Sequence, residues 1–166
     1  MLKLTISLAA AVLLGGCISV PKNHVAPKPY LAPPGDKAPA MLRSGFPTRM
    51  GRHDSMSLSV IDRASCESQP VFHISEYTRP AELDVKPVAM AVDQPILLKY
   101  NATLSAGRTC RIVAQAQFES GKHYTVHGGS EIHILSLKPD TCSFGIVDEE
   151  TKTPLPLEKA TFTCPR

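Results

Sequence analysis

The sequence predicts an all-β protein, an antiparallel β-sandwich of about seven to nine short strands, with a small β-barrel as the alternative. Three observations lead to this fold class. Apolar and polar residues alternate with a period of two in several short runs, as in strands that bury one face. Prolines and glycines interrupt the chain at short intervals. No long stretch has the periodicity of a helix.

The clearest strands lie in the second half of the chain. In the segment Ile96 to Leu104, alternate residues place Leu97, Lys99, Asn101 and Thr103 on one face and the remaining residues on the other. Residues 111–118 alternate in the same way, with Ile112 and Phe118 opposite the face of Arg111. Shorter runs predict strands at 56–61, 71–74, 82–85, 88–92, 143–147 and 160–163. Together these strands predict a sandwich of the immunoglobulin-like or transthyretin-like kind.

A hairpin is predicted after the turn at residues 119–122. Gly128-Gly129-Ser130 is expected to form a three-residue loop between strands 123–127 and 131–137. Such a loop would place His127 opposite Glu131 and Thr125 opposite His133.

The hairpin brings three histidines, His123, His127 and His133, to one face. Imidazole nitrogens bind zinc at about 2.0–2.1 Å, and Glu131 would be a fourth ligand. The competing interpretation is a solvated polar face without a metal. A one-residue change of register would destroy the cluster.

The N-terminal residues 1–16 have the pattern of a secretory signal peptide. Lys3 precedes an apolar run from Leu4 to Leu14, which is too short for a membrane span. The sequence Leu14-Gly15-Gly16-Cys17 resembles the lipobox of bacterial lipoproteins. This resemblance implies that Cys17 becomes the first mature residue and carries lipid. Because Ile18 rather than aspartate follows Cys17, enteric sorting rules imply the outer membrane, facing the periplasm.

The remaining chain is divided by composition into a tether and a domain. Residues 17–55 are expected to form a flexible, Pro-rich tether, with six prolines between Pro21 and Pro39. Residues 56–166 are expected to form the disulfide-stapled β-sandwich. This domain is large enough to bury a hydrophobic core of its own.

Four cysteines remain if Cys17 carries lipid, and an even number in an exported chain predicts two disulfides. They are Cys66, Cys110, Cys142 and Cys164. No two form a C-x-x-C pair, which argues against zinc ribbons and thioredoxin-like redox sites. The expected strand directions favour the pair Cys142–Cys164, which leaves Cys66–Cys110.

A short motif suggests a different pairing. The residues Phe118, Gly121, Tyr124 and Val126 form the pattern F-x-x-G-x-x-Y-x-V. This segment resembles one in small, largely uncharacterised exported β-sandwich lipoproteins of bacteria. The resemblance implies a β-sandwich and the pair Cys110–Cys142, which leaves Cys66–Cys164. It implies no activity, and both pairings stay open.

The expected function is non-catalytic. The net charge is only +3 and no basic block occurs, which argues against a nucleic-acid partner. Neither a G-x-S-x-G elbow nor an S-x-x-K motif is present, and no cofactor is expected. We therefore expect an envelope lipoprotein that is anchored to the membrane through Cys17 and has a binding or structural domain, with an envelope protein or peptidoglycan as the expected partner. The alternatives are a periplasmic metal-binding protein that uses the histidine hairpin, and an inhibitor or ligand-binding module.

Overall fold

The computed structural model describes residues 27–47, 54–75, 86–104, 108–131 and 141–163. In these residues the chain forms nine strands in two sheets, without a closed barrel. The β-sandwich is therefore confirmed and the small barrel is wrong. The strands are β1 (Ala40–Ser44), β2 (Ser55–Ile61), β3 (Ser68–Ser75), β4 (Val88–Met90), β5 (Ile96–Leu104), β6 (Arg108–Ala116), β7 (His123–Glu131), β8 (Thr141–Asp148) and β9 (Glu158–Lys159).

The two sheets differ in strand number and in strand direction. The first sheet has four strands in the order β4-β1-β7-β8, and the second has five in the order β3-β2-β5-β6-β9. All paired strands are antiparallel except β1 and β7, which are parallel. Parallel neighbours need a long connection. Here the chain between β1 and β7 first builds most of the second sheet.

The alternation predicted for β5 is confirmed from Leu98 onward, whereas Leu97, which was predicted to share a face with Lys99, is also buried. Leu98 and Tyr100 of β5 are fully buried, whereas Lys99 and Asn101 between them are only half-buried. Leu98 pairs with Ala114 and Tyr100 with Ile112 of β6. Because the pleat sends neighbouring side chains to opposite faces, this register places the apolar residues of both strands in the core.

Several strand boundaries differ from the prediction. Strand β2 begins at Ser55, β4 ends at Met90, and β6 covers 108–116 rather than 111–118. The strand expected at 160–163 is wrong, because the segment that pairs with β6 is Glu158–Lys159. The strand expected at 82–85 lies outside the described residues.

The expected tether is wrong over much of its length, because part of it belongs to the folded domain. Strand β1 lies inside 17–55, and the side chain of Tyr30 is only 8% exposed. The backbone nitrogen of Tyr30 donates to the carbonyl oxygen of Pro70 at 2.9 Å, and its hydroxyl accepts from the nitrogen of Ala91 at 3.3 Å.

Residues 30–39, which we call the N-terminal strap, have further contacts closer to β1. The carbonyl oxygen of Ala38 accepts a hydrogen bond from Ser120 Oγ at 2.8 Å, and Lys37 Nζ lies 2.7 Å from Asp93 Oδ1. Proline excludes a helix but not an extended segment that docks through an aromatic anchor. The described folded part therefore begins upstream of Met56.

The F-x-x-G-x-x-Y-x-V motif carries the chain from the second sheet to the first. Gly121 has a φ of 72°, which residues with a Cβ adopt only at a cost. The rings of Phe118 and Tyr124 meet edge to face with centroids 5.2 Å apart. The hydroxyl of Tyr124 accepts a hydrogen bond from the backbone nitrogen of Glu119 at 3.3 Å. The motif is thus a packed corner between β6 and β7.

A disulfide joins the two sheets. It links Cys110 of β6 to Cys142 of β8, with the Cα atoms 6.1 Å apart. The pairing implied by the lipoprotein resemblance is therefore confirmed, and the pairs Cys142–Cys164 and Cys66–Cys110 are wrong. Cys164 lies outside the described residues, so the pair Cys66–Cys164 stays a prediction. The strand-direction argument failed because β6 and β7 belong to different sheets.

Candidate functional site

The hairpin on which the predicted metal site depended does not form. Strand β7 runs without interruption from His123 to Glu131. It pairs with β8 from Tyr124 to Glu131 and with β1 from His123 to Val126. His127 lies opposite Gly145 rather than Glu131, and Glu131 lies opposite Thr141. His133 lies outside the described residues. The predicted register of the three histidines is therefore wrong.

The strand continues through the expected loop because Gly128 serves packing there. A Cβ atom at position 128 would lie 2.6 Å from a ring carbon of Tyr100. Gly128 thus leaves room for a buried ring from the other sheet, and it pairs with Phe144 of β8. The ring of Phe144 stacks on the same Tyr100 with centroids 5.4 Å apart. Long-range packing has overridden the local turn preference of two adjacent glycines.

His123 and His127 lie exposed on the outward face of the first sheet. Within the described ranges no group of three or more His, Cys, Asp or Glu side chains is placed to hold a metal ion. The neighbouring Arg43 has its Nε 3.9 Å from Glu149 Oε1, and Thr125 Oγ1 donates to the same oxygen at 2.8 Å. The charges on this face therefore compensate one another.

A second charged cluster lies where the chain enters β7. Lys122 Nζ is 2.9 Å from Glu119 Oε2 and 3.2 Å from Asp148 Oδ2. The side chain of Asp148 is only 6% exposed, and its Oδ1 accepts from the nitrogens of Glu150 and Thr151 at 2.9 and 3.0 Å. Asp148 thus closes the turn from β8 toward the C-terminal segment.

The contacts within this cluster favour the charged forms of both Asp148 and Lys122. The hydrogen bond from the Thr151 nitrogen, and then the ion pair with Lys122, hold the pKa of Asp148 below its ordinary value. Hydrogen bonds to Glu119 and Asp148 raise the pKa of the Lys122 ammonium well above its ordinary value. Near neutral pH neither group is poised to exchange a proton, so the cluster is suited to structure rather than acid–base chemistry.

The outward face of the second sheet is different, because its polar side chains form rows across four strands. One row follows the register from β3 to β6 through His73, Ser57, Asn101 and Arg111. The next row contains Ser75, Ser55, Thr103 and Thr109. We call these eight residues together with Lys99 the polar face. Neighbouring strands in a sheet lie about 4.8 Å apart, so each row is about 14 Å long.

The polar face carries cations without described counterions. Arg111 Nε donates to Asn101 Oδ1 at 3.2 Å, which orients the guanidinium along the sheet. Lys99 lies on β5 two residues before Asn101, which is the partner of Arg111. Lys99 and Arg111 are therefore diagonal neighbours on the same face, at a spacing of about 7–8 Å. Neither cation forms an ion pair with a described carboxylate, in contrast to Arg43, Lys122 and Lys37.

Nucleophilic catalysis would need more than this face provides among its described residues. Ser57 lies directly opposite His73 in the register. No hydrogen bond joins the two side chains, and no described carboxylate orients the imidazole, so the pair lacks the arrangement that activates a serine. The polar face is equipped instead to donate and accept hydrogen bonds and to attract an anion.

Sequence reasoning missed both the N-terminal strap and the polar face. A signal for the strap was Tyr30, an aromatic residue inside a Pro-rich segment. A signal for the face was the alternation of Ser55 and Ser57 in β2 with apolar neighbours. The alignment of that serine column with the polar columns of β5 and β6 depends on strand pairing, which the residues of one strand do not specify.

None of the described residues belongs to a helix long and apolar enough to cross a membrane. A scan against protein families, a search of curated proteins and a search of solved structures each returned no match for this chain.

Proposed function

We propose that the protein is a lipid-anchored lipoprotein of the bacterial cell envelope, whose β-sandwich binds a partner without catalysing a reaction. The observation that carries the proposal is the disulfide between Cys110 and Cys142, which joins the two sheets. Disulfides persist in oxidising compartments and are rare in the cytosol of most organisms. The bond therefore supports export, and the resemblance of Leu14–Cys17 to a lipobox supports anchoring after export.

The lipid would hold the domain by burial of its acyl chains. Each buried CH₂ group contributes about 0.8 kcal/mol, and a single chain gives only reversible attachment. A lipid with several chains at Cys17 would make attachment effectively permanent. We place the protein at the outer membrane, facing the periplasm, because Ile18 follows the lipidated position.

The docked strap shortens the reach of the anchor. If all residues between Cys17 and Ser55 were extended, the chain could span about 130 Å. Because Tyr30 is held by Pro70 and Ala91, at most the segment up to Tyr30 is available, which spans no more than about 45 Å. Attachment through so short a tether raises the local concentration of the domain beside any partner at the membrane or in the peptidoglycan.

The experiment that tests the anchor is metabolic labelling of the full-length protein with an alkyne fatty acid, followed by intact mass measurement. We expect a labelled mature chain that begins at Cys17 and sediments with membranes. Cys17→Ser should lose the label and leave the membrane fraction. Cys66→Ser is the matched control, because it removes a different thiol and should keep the label. An unlabelled chain that still begins at Met1 would overturn the proposal.

A further inference from the structure

We infer that the polar face binds an anionic polysaccharide, a polymer in which hydroxyl groups and carboxylates repeat along an extended chain. The inference deepens the proposed function, on which it rests for the location of such a polymer in the cell envelope. It names both the surface of the sandwich and the chemistry of the partner.

Charge is the first argument for this occupant. Lys99 and Arg111 lie on one sheet face without a described carboxylate partner, whereas the cations of the opposite face and of the strap are paired with Glu149 and Asp93. An unpaired guanidinium can hold a carboxylate through two parallel hydrogen bonds. The bond from its Nε to Asn101 orients the group and leaves its terminal nitrogens for that purpose.

The rows of hydroxyl groups are the second argument. Thr103 lies opposite Thr109 at exposed positions, and Ser55 continues the same row on β2. Each hydroxyl can donate one hydrogen bond and accept others, which matches the mixed donors and acceptors of a sugar. A row about 14 Å long suits an extended polymer that lies across the strands.

Residue composition argues for a glycan rather than a protein partner. The members of the polar face are short polar side chains, the imidazole of His73 and two long cations, and the remaining outward positions of β5 and β6 also carry no Trp, Tyr, Phe or Met. Protein interfaces depend on buried aromatic anchors at their centre. The face offers hydrogen bonds and charge instead.

Binding of the full-length protein in detergent to immobilised polygalacturonate tests the inference. The probe combines carboxylates and hydroxyl groups, and neutral dextran provides the uncharged comparison. We expect binding to polygalacturonate and not to dextran, with an affinity that falls as salt screens the charges. The double variant Lys99→Gln, Arg111→Gln should bind about tenfold more weakly. The variant Thr103→Val, Thr109→Val keeps every charge and should bind about threefold more weakly, because it removes two hydroxyl partners.

The matched control is Lys28→Gln, Lys159→Gln, which removes the same charge from exposed positions outside the polar face. It should bind like the unchanged protein. If the control lost as much affinity as the variant Lys99→Gln, Arg111→Gln, the attraction would depend on net charge alone, and the inference would be overturned. Equal binding to dextran, no effect of the threonine variant, or binding only to anionic phospholipid vesicles would also overturn it. Acylation at Cys17 is measured separately, so failure of either proposal is visible without the other.

Discussion

The ring of Tyr100 lies directly against the backbone of Gly128, where a Cβ atom would come within 2.7 Å of the tyrosine hydroxyl oxygen. Tyr100 belongs to the second sheet and Gly128 to the first, so this contact sets how closely the sheets approach. Phe46 and Phe144 complete the cluster, with centroids 5.8 and 5.4 Å from that of Tyr100. The missing side chain of Gly128 thus leaves the space that the large ring of Tyr100 fills from the facing sheet.

Gly128→Ala should lower the free energy of unfolding by about 2 kcal/mol, because the new methyl group overlaps a ring that has no room to move. Urea denaturation of the purified protein measures this change. Gly145→Ala is the control on the neighbouring strand, since a Cβ there meets no atom within 4 Å. The control should change stability by no more than about 0.5 kcal/mol. Equal losses would show that the packing argument is incorrect.

The hydroxyl of Tyr100 is buried and has no hydrogen-bond partner among the described residues, and burial raises its pKa. Tyr100→Phe removes a polar group that is not hydrogen-bonded there, so stability should stay unchanged or rise by up to about 1 kcal/mol. Tyr124→Phe is the matched comparison, because its hydroxyl accepts a hydrogen bond from Glu119. That variant should lose about 1 kcal/mol. Thermal denaturation of both variants decides the matter, and a larger loss for Tyr100→Phe would contradict the expectation.

Removal of the disulfide should be costly. Cys110 and Cys142 are separated by 32 residues in sequence, and closing a loop of this size stabilises the folded chain by about 3–4 kcal/mol. Cys110→Ala, Cys142→Ala should lose this amount in urea denaturation. Treatment with a reductant should destabilise the unchanged protein more than the double variant. An identical response of the two proteins to reductant would refute a stabilising bond at this position.

The buried carboxylate of Asp148 predicts a specific acid limb in the stability profile. Its pKa in the folded protein is lower than the ordinary 3.8, so its contribution is present above that value and is lost as the pH falls through the folded pKa. Asp148→Asn should therefore weaken the protein at neutral pH and flatten the loss of stability below about pH 4. Urea midpoints measured between pH 2 and 7 test this, and a variant with an unchanged acid limb would disprove the assignment.

Asp62 provides a comparison for Asp148, since each opens a six-residue turn that its own backbone nitrogen closes, at Glu67 and Thr153 respectively. In each turn the carboxylate accepts a hydrogen bond from the nitrogen two residues later. The pKa of Asp62 is also lowered, first by the Ala64 nitrogen. Asp62 lacks the buried position and the lysine partner of Asp148. Asp62→Asn should accordingly flatten the acid limb less than Asp148→Asn.

Docking of the N-terminal strap should protect it from proteolysis. Tyr30→Ala removes the buried anchor of the strap. If the free energy of docking falls by more than about 1.4 kcal/mol, the fraction of molecules with an undocked strap rises at least tenfold. Trypsin should then cleave after Lys37 correspondingly faster than in the unchanged protein. Leu31→Ala is the control, because Leu31 is 79% exposed and should leave the rate unchanged. Equal cleavage in all three proteins would mean that the strap is open already.

Local patterns were sufficient wherever one strand carries its own information. Ile96–Leu104 was predicted with the observed ends, and from Leu98 onward with the observed alternation of burial, because a period of two is visible within the strand itself. The corner from Phe118 to Tyr124 was also visible, since its glycine and its two rings are close in sequence. The lipobox is equally local, and lipidation of Cys17 stays a prediction.

Three features were decided only by tertiary structure. Gly128 and Gly129 have the sequence of a turn, but both lie within β7, where Gly128 packs against a ring from the other sheet. Ala40–Ser44 became a strand because β7, about eighty residues later, offers a parallel edge. The partner of Cys110 depended on which sheet each strand joins. Propensity acts between neighbours in sequence, whereas these outcomes depend on groups that meet only when the two sheets pack.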